Sequence, residues 1–303
     1  MQRVKNLIHC DEAVYKKTLG ANVTIAVLDT GVFYHPDFSD RILAFQDFVN
    51  GNSLPYDDSG HGTHVCGICA GNGRVSKGKY SGIAPEANLV VGKVLNKNGD
   101  GDGESMIRGI QWVMELRKKI PIQILNLSIG IRNLEDQKLE DKLIAAIELA
   151  WYSGMVVVTA AGNNGPKPMT ISPLGASRKV ITVGCHDGGY VSKNGSSCDE
   201  YSGRGPSKFE IKKPDIVAPG TDIISCSNKY VRFYNNSNSS YTSKSGTSMA
   251  TPIVSGACAL LLSKNPDLNN ESVKRKLISS AEDLKESWSK QGGGMLNVHN
   301  LLA

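Results

Sequence analysis

The sequence predicts an α/β fold of three layers, α/β/α, around a central, mostly parallel sheet. Three observations lead there. Short apolar runs of strand length alternate along the chain with longer stretches of helical periodicity, which is the signature of parallel crossovers. The strand runs are almost continuously apolar instead of alternating with polar residues, so both sheet faces must be covered. The chain of 303 residues is also long enough to bury a large core.

The predicted strands are Val23 to Leu28, Leu89 to Leu95, Ile122 to Leu127, Met155 to Thr159 and Val180 to Val183, with helices over 61–71, 104–118 and 136–153 between them. Two more helices, 248–263 and 270–280, follow. Leu143, Ile144, Ile147, Ala150 and Trp151 recur at spacings of three and four and make one apolar helix face, which Gly154 ends. The Gly/Ser/Asn-rich stretches 96–103, 187–198 and 235–246 read as surface loops, too short to be interdomain linkers. With no internal repeat, residues 1–303 are expected to form one domain.

Composition excludes several function classes. The net charge of +5 is spread without any run of like charge, so there is no tail for nucleic acid. No apolar stretch approaches the ~18 residues of a membrane span, and the first residues lack the apolar segment of a secretory leader. Seven cysteines are an odd number, several within apolar runs, which reads as a reducing compartment. Cys185 and Cys198 are close enough in sequence to close a small loop. The sequons at Asn22 and Asn126 lie in apolar runs and are read as chance matches.

Three segments carry chemistry. The first strand runs into Asp29-Thr30-Gly31, which puts a carboxylate at the carboxyl end of a buried parallel strand, where open α/β sheets bind ligands. Taken alone, such an aspartate is an ordinary turn residue. Next comes Asp58-Ser-Gly-His61-Gly-Thr-His64-Val-Cys66-Gly, a histidine flanked by glycines at the start of an apolar helix. His61, His64, Cys66 and Cys69 do not make one zinc site, because His61 and Cys69 would lie about 12 Å apart along a helix rising 1.5 Å per residue. The third segment, Ser245-Gly246-Thr247-Ser248-Met249-Ala250-Thr251-Pro252, places a serine at the start of a buried helix. There a hydroxyl is a common cap, and it also faces the positive end of the helix dipole, where backbone N–H groups can hold an oxyanion.

Taken in the order Asp, His, Ser, these segments resemble the subtilisin family of serine endopeptidases. The resemblance runs from Gly20 through the last helix and includes Gly82-Ile-Ala-Pro85, Asn126-Leu-Ser-Ile-Gly130, Ala161-Gly-Asn163 and Lys213-Pro-Asp-Ile-Val-Ala-Pro-Gly220. It implies Ser248 as nucleophile, His61 as general base and then acid, Asp29 as the carboxylate orienting the imidazole, and Asn163 as side-chain oxyanion donor. Each role has a chemical need, since a serine hydroxyl attacks only when a base takes its proton and the resulting imidazolium is stabilised by a charged partner.

The same resemblance implies a protein or peptide substrate bound as an added strand between Gly101-Asp102-Gly103 and Ser128-Ile129-Gly130. Ala160-Ala161-Gly162 would wall the pocket for the residue before the cleaved bond, over a floor at Met169 to Pro173 in which Ile171 makes the pocket shallow. No cofactor is required for the chemistry. Asp37 matches an aspartate that ligates calcium in many relatives, but the partner loop 73–79 carries Arg74, Lys77 and Lys79, which argue against an ion there. The run from Asn96 to Glu104 imitates a calcium loop, yet its twelfth position is Ile107, not glutamate. Lacking the leader and propeptide of secreted subtilisins, the chain resembles the intracellular branch and is expected in the cytoplasm, or outside the cell if it is a trimmed mature form. Cys66, one turn from His61, reads as a packed small residue, with sensitivity to thiol reagents as the alternative. Three readings of the function remain: a broad endopeptidase, a processing protease for one precursor, and a peptide-binding relative without activity.

Overall fold

The computed structural model describes residues 1–10, 18–129, 136–230 and 240–303. Its centre is a seven-stranded parallel sheet of β1 (Thr24–Asp29), β2 (Ile42–Asp47), β3 (Asn88–Lys93), β4 (Ile124–Leu127), β5 (Val156–Ala160), β6 (Ile181–Cys185) and β7 (Ile216–Ala218), in the order β2-β3-β1-β4-β5-β6-β7. A two-stranded antiparallel hairpin, β8 (Ile223–Cys226) with β9 (Tyr241–Lys244), lies apart from it. The helices are α1 (Gln2–Leu7), α2 (His61–Ala70), α3 (Gly103–Leu116), α4 (Gln137–Tyr152), α5 (Cys198–Tyr201), α6 (Thr247–Lys264), α7 (Asn270–Ser280), α8 (Trp288–Gln291) and α9 (Val298–Leu302).

The predicted strands and helices all form, with ends moved by one or two residues. Every residue of β1, β4, β5 and β6 is buried, as a sheet covered on both faces requires. From β1 the chain passes through β2 and α2 to β3 on one side of β1, and β3-α3-β4 steps back past β1 to the other side. α2 packs with α6, and α3 with α4. The reversal of direction around β1 opens a crevice at the carboxyl ends of the strands, and Asp29 is the last residue of β1.

Two helices are buried on nearly every side. In α2 all residues after His61 are buried, and in α6 so is every residue of Met249–Leu262. Such all-round burial explains why neither shows an apolar stripe in its sequence. The strand β2 and the hairpin lie outside the set of elements that periodicity predicts. Of the six β2 residues three are half-buried and two exposed, as expected of an edge strand, and β7 is three residues long.

Candidate active site

Asp29 is fully buried, and its Oδ1 accepts the Thr30 N–H at 2.7 Å and faces His61 Nδ1, also at 2.7 Å. That contact fixes the tautomer with the proton on Nδ1 and leaves Nε2 as the basic nitrogen. His61 is the first residue of α2 and its side chain keeps a quarter of its exposure (25%). Burial pushes its pKa down, but the charge and hydrogen bond of Asp29 outweigh this and the net shift is upward. The close approach of helix and turn needs glycine, because a Cβ on Gly62 would lie 2.1 Å from the Gly31 carbonyl oxygen.

Ser248, the second residue of α6, is half-buried. Its hydroxyl has no hydrogen bond within the described residues, so the link to His61 is not made here; in substrate-free sites this contact is commonly loose. Asn163 is exposed beyond the end of β5, and its Oδ1 accepts both the N–H of Thr247 at 2.9 Å and its hydroxyl at 3.0 Å. A backbone N–H can only donate, so the atom facing it is the amide oxygen, and Nδ2 is turned to the other side. That nitrogen would lie 3.3 Å from a Cβ placed on Gly246, two residues before Ser248.

Of the residues expected to flank a substrate, those after β4 and β5 lie at the carboxyl ends of neighbouring strands. Ser128 and Ile129 follow β4, while Ala160, Ala161 and Gly162 close β5, and β4 and β5 are paired through Leu127 and Thr159. The side chains of Ser128 and Ile129 are buried, with Ser128 Oγ on Asn126 Nδ2 at 2.9 Å. Gly130 lies outside the described residues. Gly101 and Asp102 are exposed, and Asp102 caps α3, whose first residue is Gly103. They line a cavity of about 450 Å³ with Phe48, Val94, Asn96 and Arg108. Ser172 donates its N–H to Ala161 O at 2.7 Å and its hydroxyl to Ala160 O at 2.6 Å, which puts the 170–172 segment against the 160–162 wall.

The other sequence candidates are engaged elsewhere. His64 is buried with Nε2 between Ile223 O and Thr242 O at 2.9 and 3.2 Å, and burial lowers its pKa to about 3, so it stays a neutral tie between α2 and the hairpin. Cys66 is fully buried and desolvation pushes its thiol pKa well up, so it is the packed small residue of the two readings and not a reagent-sensitive thiol. Cys185 and Cys198 form a disulfide, a departure from the all-reduced reading, while Cys66, Cys69, Cys226 and Cys258 are buried thiols. Asp37 is fully buried with protein donors on both oxygens, Val75 N–H on Oδ1 at 3.0 Å and the Tyr241 hydroxyl on Oδ2 at 2.8 Å. Arg41 binds the carbonyls of Asp37, Ala70 and Ala87 beside it. The Asn96 loop is a turn in which Oδ1 accepts the N–H groups of Asn98 and Asp100.

Sequence reasoning missed three supporting residues. Lys93 is fully buried and its ammonium binds Thr30 O, Leu95 O and Asp58 Oδ1, each at 2.8 Å. Asp57 bonds to residues on both sides of His61, and Thr247 orients Asn163. No local pattern announces them, because each acts on a residue brought close only by the fold.

A model of the subtilase family matches residues 20–295. The serine protease AprX of Bacillus subtilis (strain 168) is 44% identical over 292 residues, which are 93% of this chain and 66% of that protein, so the chain spans just under two thirds of it. Subtilisin DY of Bacillus licheniformis is 34% identical over 295 residues, 96% of this chain and 95% of that one. Among solved structures, a cold-adapted subtilisin-like serine proteinase superposes with a TM-score of 0.71 at 28% identity, covering 93% of this chain and 90% of its own.

Proposed function

Because the chain belongs to the subtilase family and is a serine-type endopeptidase, we propose that it cleaves peptide bonds through an acyl-enzyme on Ser248. The observation that carries this reading is the Asp29–His61 contact at 2.7 Å, made at the head of a buried helix that packs against the helix bearing Ser248. In the first step Ser248 Oγ attacks the carbonyl carbon while its proton passes to His61 Nε2. The oxyanion is held by Asn163 Nδ2 and the backbone N–H of Ser248 at the positive end of α6. The C–N bond then breaks, His61 returns the proton to the leaving amine, and water repeats the sequence on the ester.

The substrate is a protein or peptide laid as an extended strand between 101–103 and 128–130, with the side chain before the cleaved bond directed at 160–162. Residues 1–303 act as one catalytic unit. Every proton transfer has a side chain assigned to it, so the reaction calls on no cofactor. A structural calcium at Asp37 is not part of the reading, since the carboxylate already has protein donors on both oxygens and a guanidinium beside it. Among the described residues no helix is long and apolar enough to cross a membrane. The buried thiols Cys66, Cys69, Cys226 and Cys258 support a cytoplasmic protein.

The test is intact mass after reaction with a fluorophosphonate. One adduct is expected on the wild type and none on Ser248→Ala or His61→Ala; equal labelling of Ser248→Ala rejects the assignment.

A further inference from the structure

A second carboxylate, Asp57, stands behind the Asp29–His61 pair. It lies in the connection between β2 and α2, is only 7% exposed, and forms an isolated bridge with Gly31. Its Oδ1 accepts the Thr30 hydroxyl at 2.8 Å, Ser59 N–H at 3.1 Å and Gly60 N–H at 2.8 Å. Its Oδ2 accepts the N–H of Thr63 at 2.8 Å and its hydroxyl at 2.6 Å. Thr30 Oγ1 in turn accepts Gly62 N–H at 2.9 Å. One buried group is therefore bonded to the residue after Asp29, to the residue before His61 and to the residue two beyond it.

This arrangement exceeds what helix capping needs. A cap satisfies one or two of the free N–H groups at a helix start, usually from the residue just before it. Asp57 also takes the Thr30 hydroxyl, so the turn that carries Asp29 and the helix that carries His61 are fastened to the same two oxygens. We propose that Asp57 is a positioning residue for the reaction: through Thr30 and Thr63 it sets the distance and angle between the Asp29 carboxylate and the His61 ring, and its charge supports the imidazolium formed when Ser248 gives up its proton. This rests on His61 being the base.

The electrostatics agree in sign. The charged groups facing His61 are Asp29 from β1 and Asp57 from the loop, which raise its pKa, and Lys244 from β9, which lowers it. His64 on the same helix remains neutral, its pKa lowered by burial to about 3.

The experiment compares kcat, KM and the pH profile of kcat/KM on a chromogenic peptide for wild type, Asp57→Asn, Thr30→Val, Thr30→Ser and His61→Ala, with melting curves for each. Asp57→Asn is expected to lose kcat by about 10²-fold, the scale of a misplacement near 1 Å, with KM nearly unchanged and the acidic limb moved to lower pH. Thr30→Val removes the bond but not the charge, so kcat falls and the limb stays; Thr30→Ser restores kcat. Wild-type kcat in folded Asp57→Asn, or a fall without movement of the limb, overturns the proposal. If Asp57→Asn does not fold, Thr30→Val decides, and kcat equal to wild type in it overturns the proposal. Activity in His61→Ala would instead remove the parent reading.

Discussion

Thr247 holds the Asn163 side chain twice, through its backbone N–H at 2.9 Å and its hydroxyl at 3.0 Å, both donated to Oδ1. The nucleophile's own helix thus aims the amide proposed to receive the oxyanion, so one rigid element sets both groups. Asn163→Ala should lower kcat by about 10²- to 10³-fold with little change in KM, the range measured on the corresponding asparagine of subtilisin itself. Thr247→Val keeps the backbone bond and loses one hydroxyl bond, so about a fivefold loss is expected from a bond worth ~1 kcal/mol. Steady-state kinetics on one peptide check both, and an effect confined to KM would contradict the aiming role.

Lys244 bears on the same histidine from β9, and its charge lowers the His61 pKa while Asp29 raises it. His61 serves as a base only when neutral, so activity is lost as pH falls through its pKa. Lys244→Gln removes the opposing charge, and the acidic limb of kcat/KM should move to higher pH. Salt should shrink the difference between the two proteins, since the group is half-buried. Superimposable profiles at low salt would refute it.

Ile171 is half-buried in the segment bonded to the 160–162 wall. A branched side chain there should restrict the residue before the cleaved bond to small types. Ile171→Gly is expected to raise kcat/KM for phenylalanine over alanine at that position by at least about tenfold, the scale of removed methylenes in a pocket. Profiling with paired peptide substrates reads this directly, and an unchanged preference would place the pocket elsewhere.

The Cys185–Cys198 disulfide joins residues 13 apart in sequence, one of them at the end of β6. Closing a loop of this length stabilises by about 3 kcal/mol in the chain-entropy model. Reduction, verified by counting thiols, should lower the melting temperature by about 5 °C or more, and Cys198→Ser should melt at the reduced value regardless of reductant. Equal melting of both forms would assign the pair no stabilising role.

At Asp37, hydrogen bonds from Val75 and Tyr241 take the place that metal contacts would need. Chelator should leave the melting temperature and the activity unchanged. A fall on chelation, reversed by calcium, would require an ion site on this chain.

The buried strands were legible because a covered parallel strand is apolar at every position, as β1, β5 and β6 are. β2 escaped because an edge strand mixes exposed Leu43 with buried Asp47 and imitates neither period. Asp29, His61 and Ser248 are each an ordinary turn or cap residue taken alone, and only their order and the resemblance to subtilisins, which alone implies Asn163, mark them as candidates; the structure brings Asp29 and His61 to 2.7 Å. The supporting contacts were not legible, since Thr247 reaches Asn163 across 84 residues and Thr30 reaches Asp57 across 27. Pair contacts of that separation leave no periodicity to read. The disulfide was visible only as a spacing, and nothing in the spacing distinguished it from the buried free thiols.

His61 and Ser248 lie in the first turn of the two helices that are enclosed on nearly all sides, while Gly101 and Asp102, the proposed cleft edge, are exposed. Amide protons deep in α2 and α6 should therefore exchange only through global opening of the molecule, and those of the cleft edge through small local excursions. For a protease this separates two fates. Self-cleavage begins at loops that open readily, and a nicked chain keeps its catalytic geometry as long as the enclosed helices stay packed. Loss of activity on storage should then follow the rate of whole-molecule unfolding rather than the first appearance of fragments.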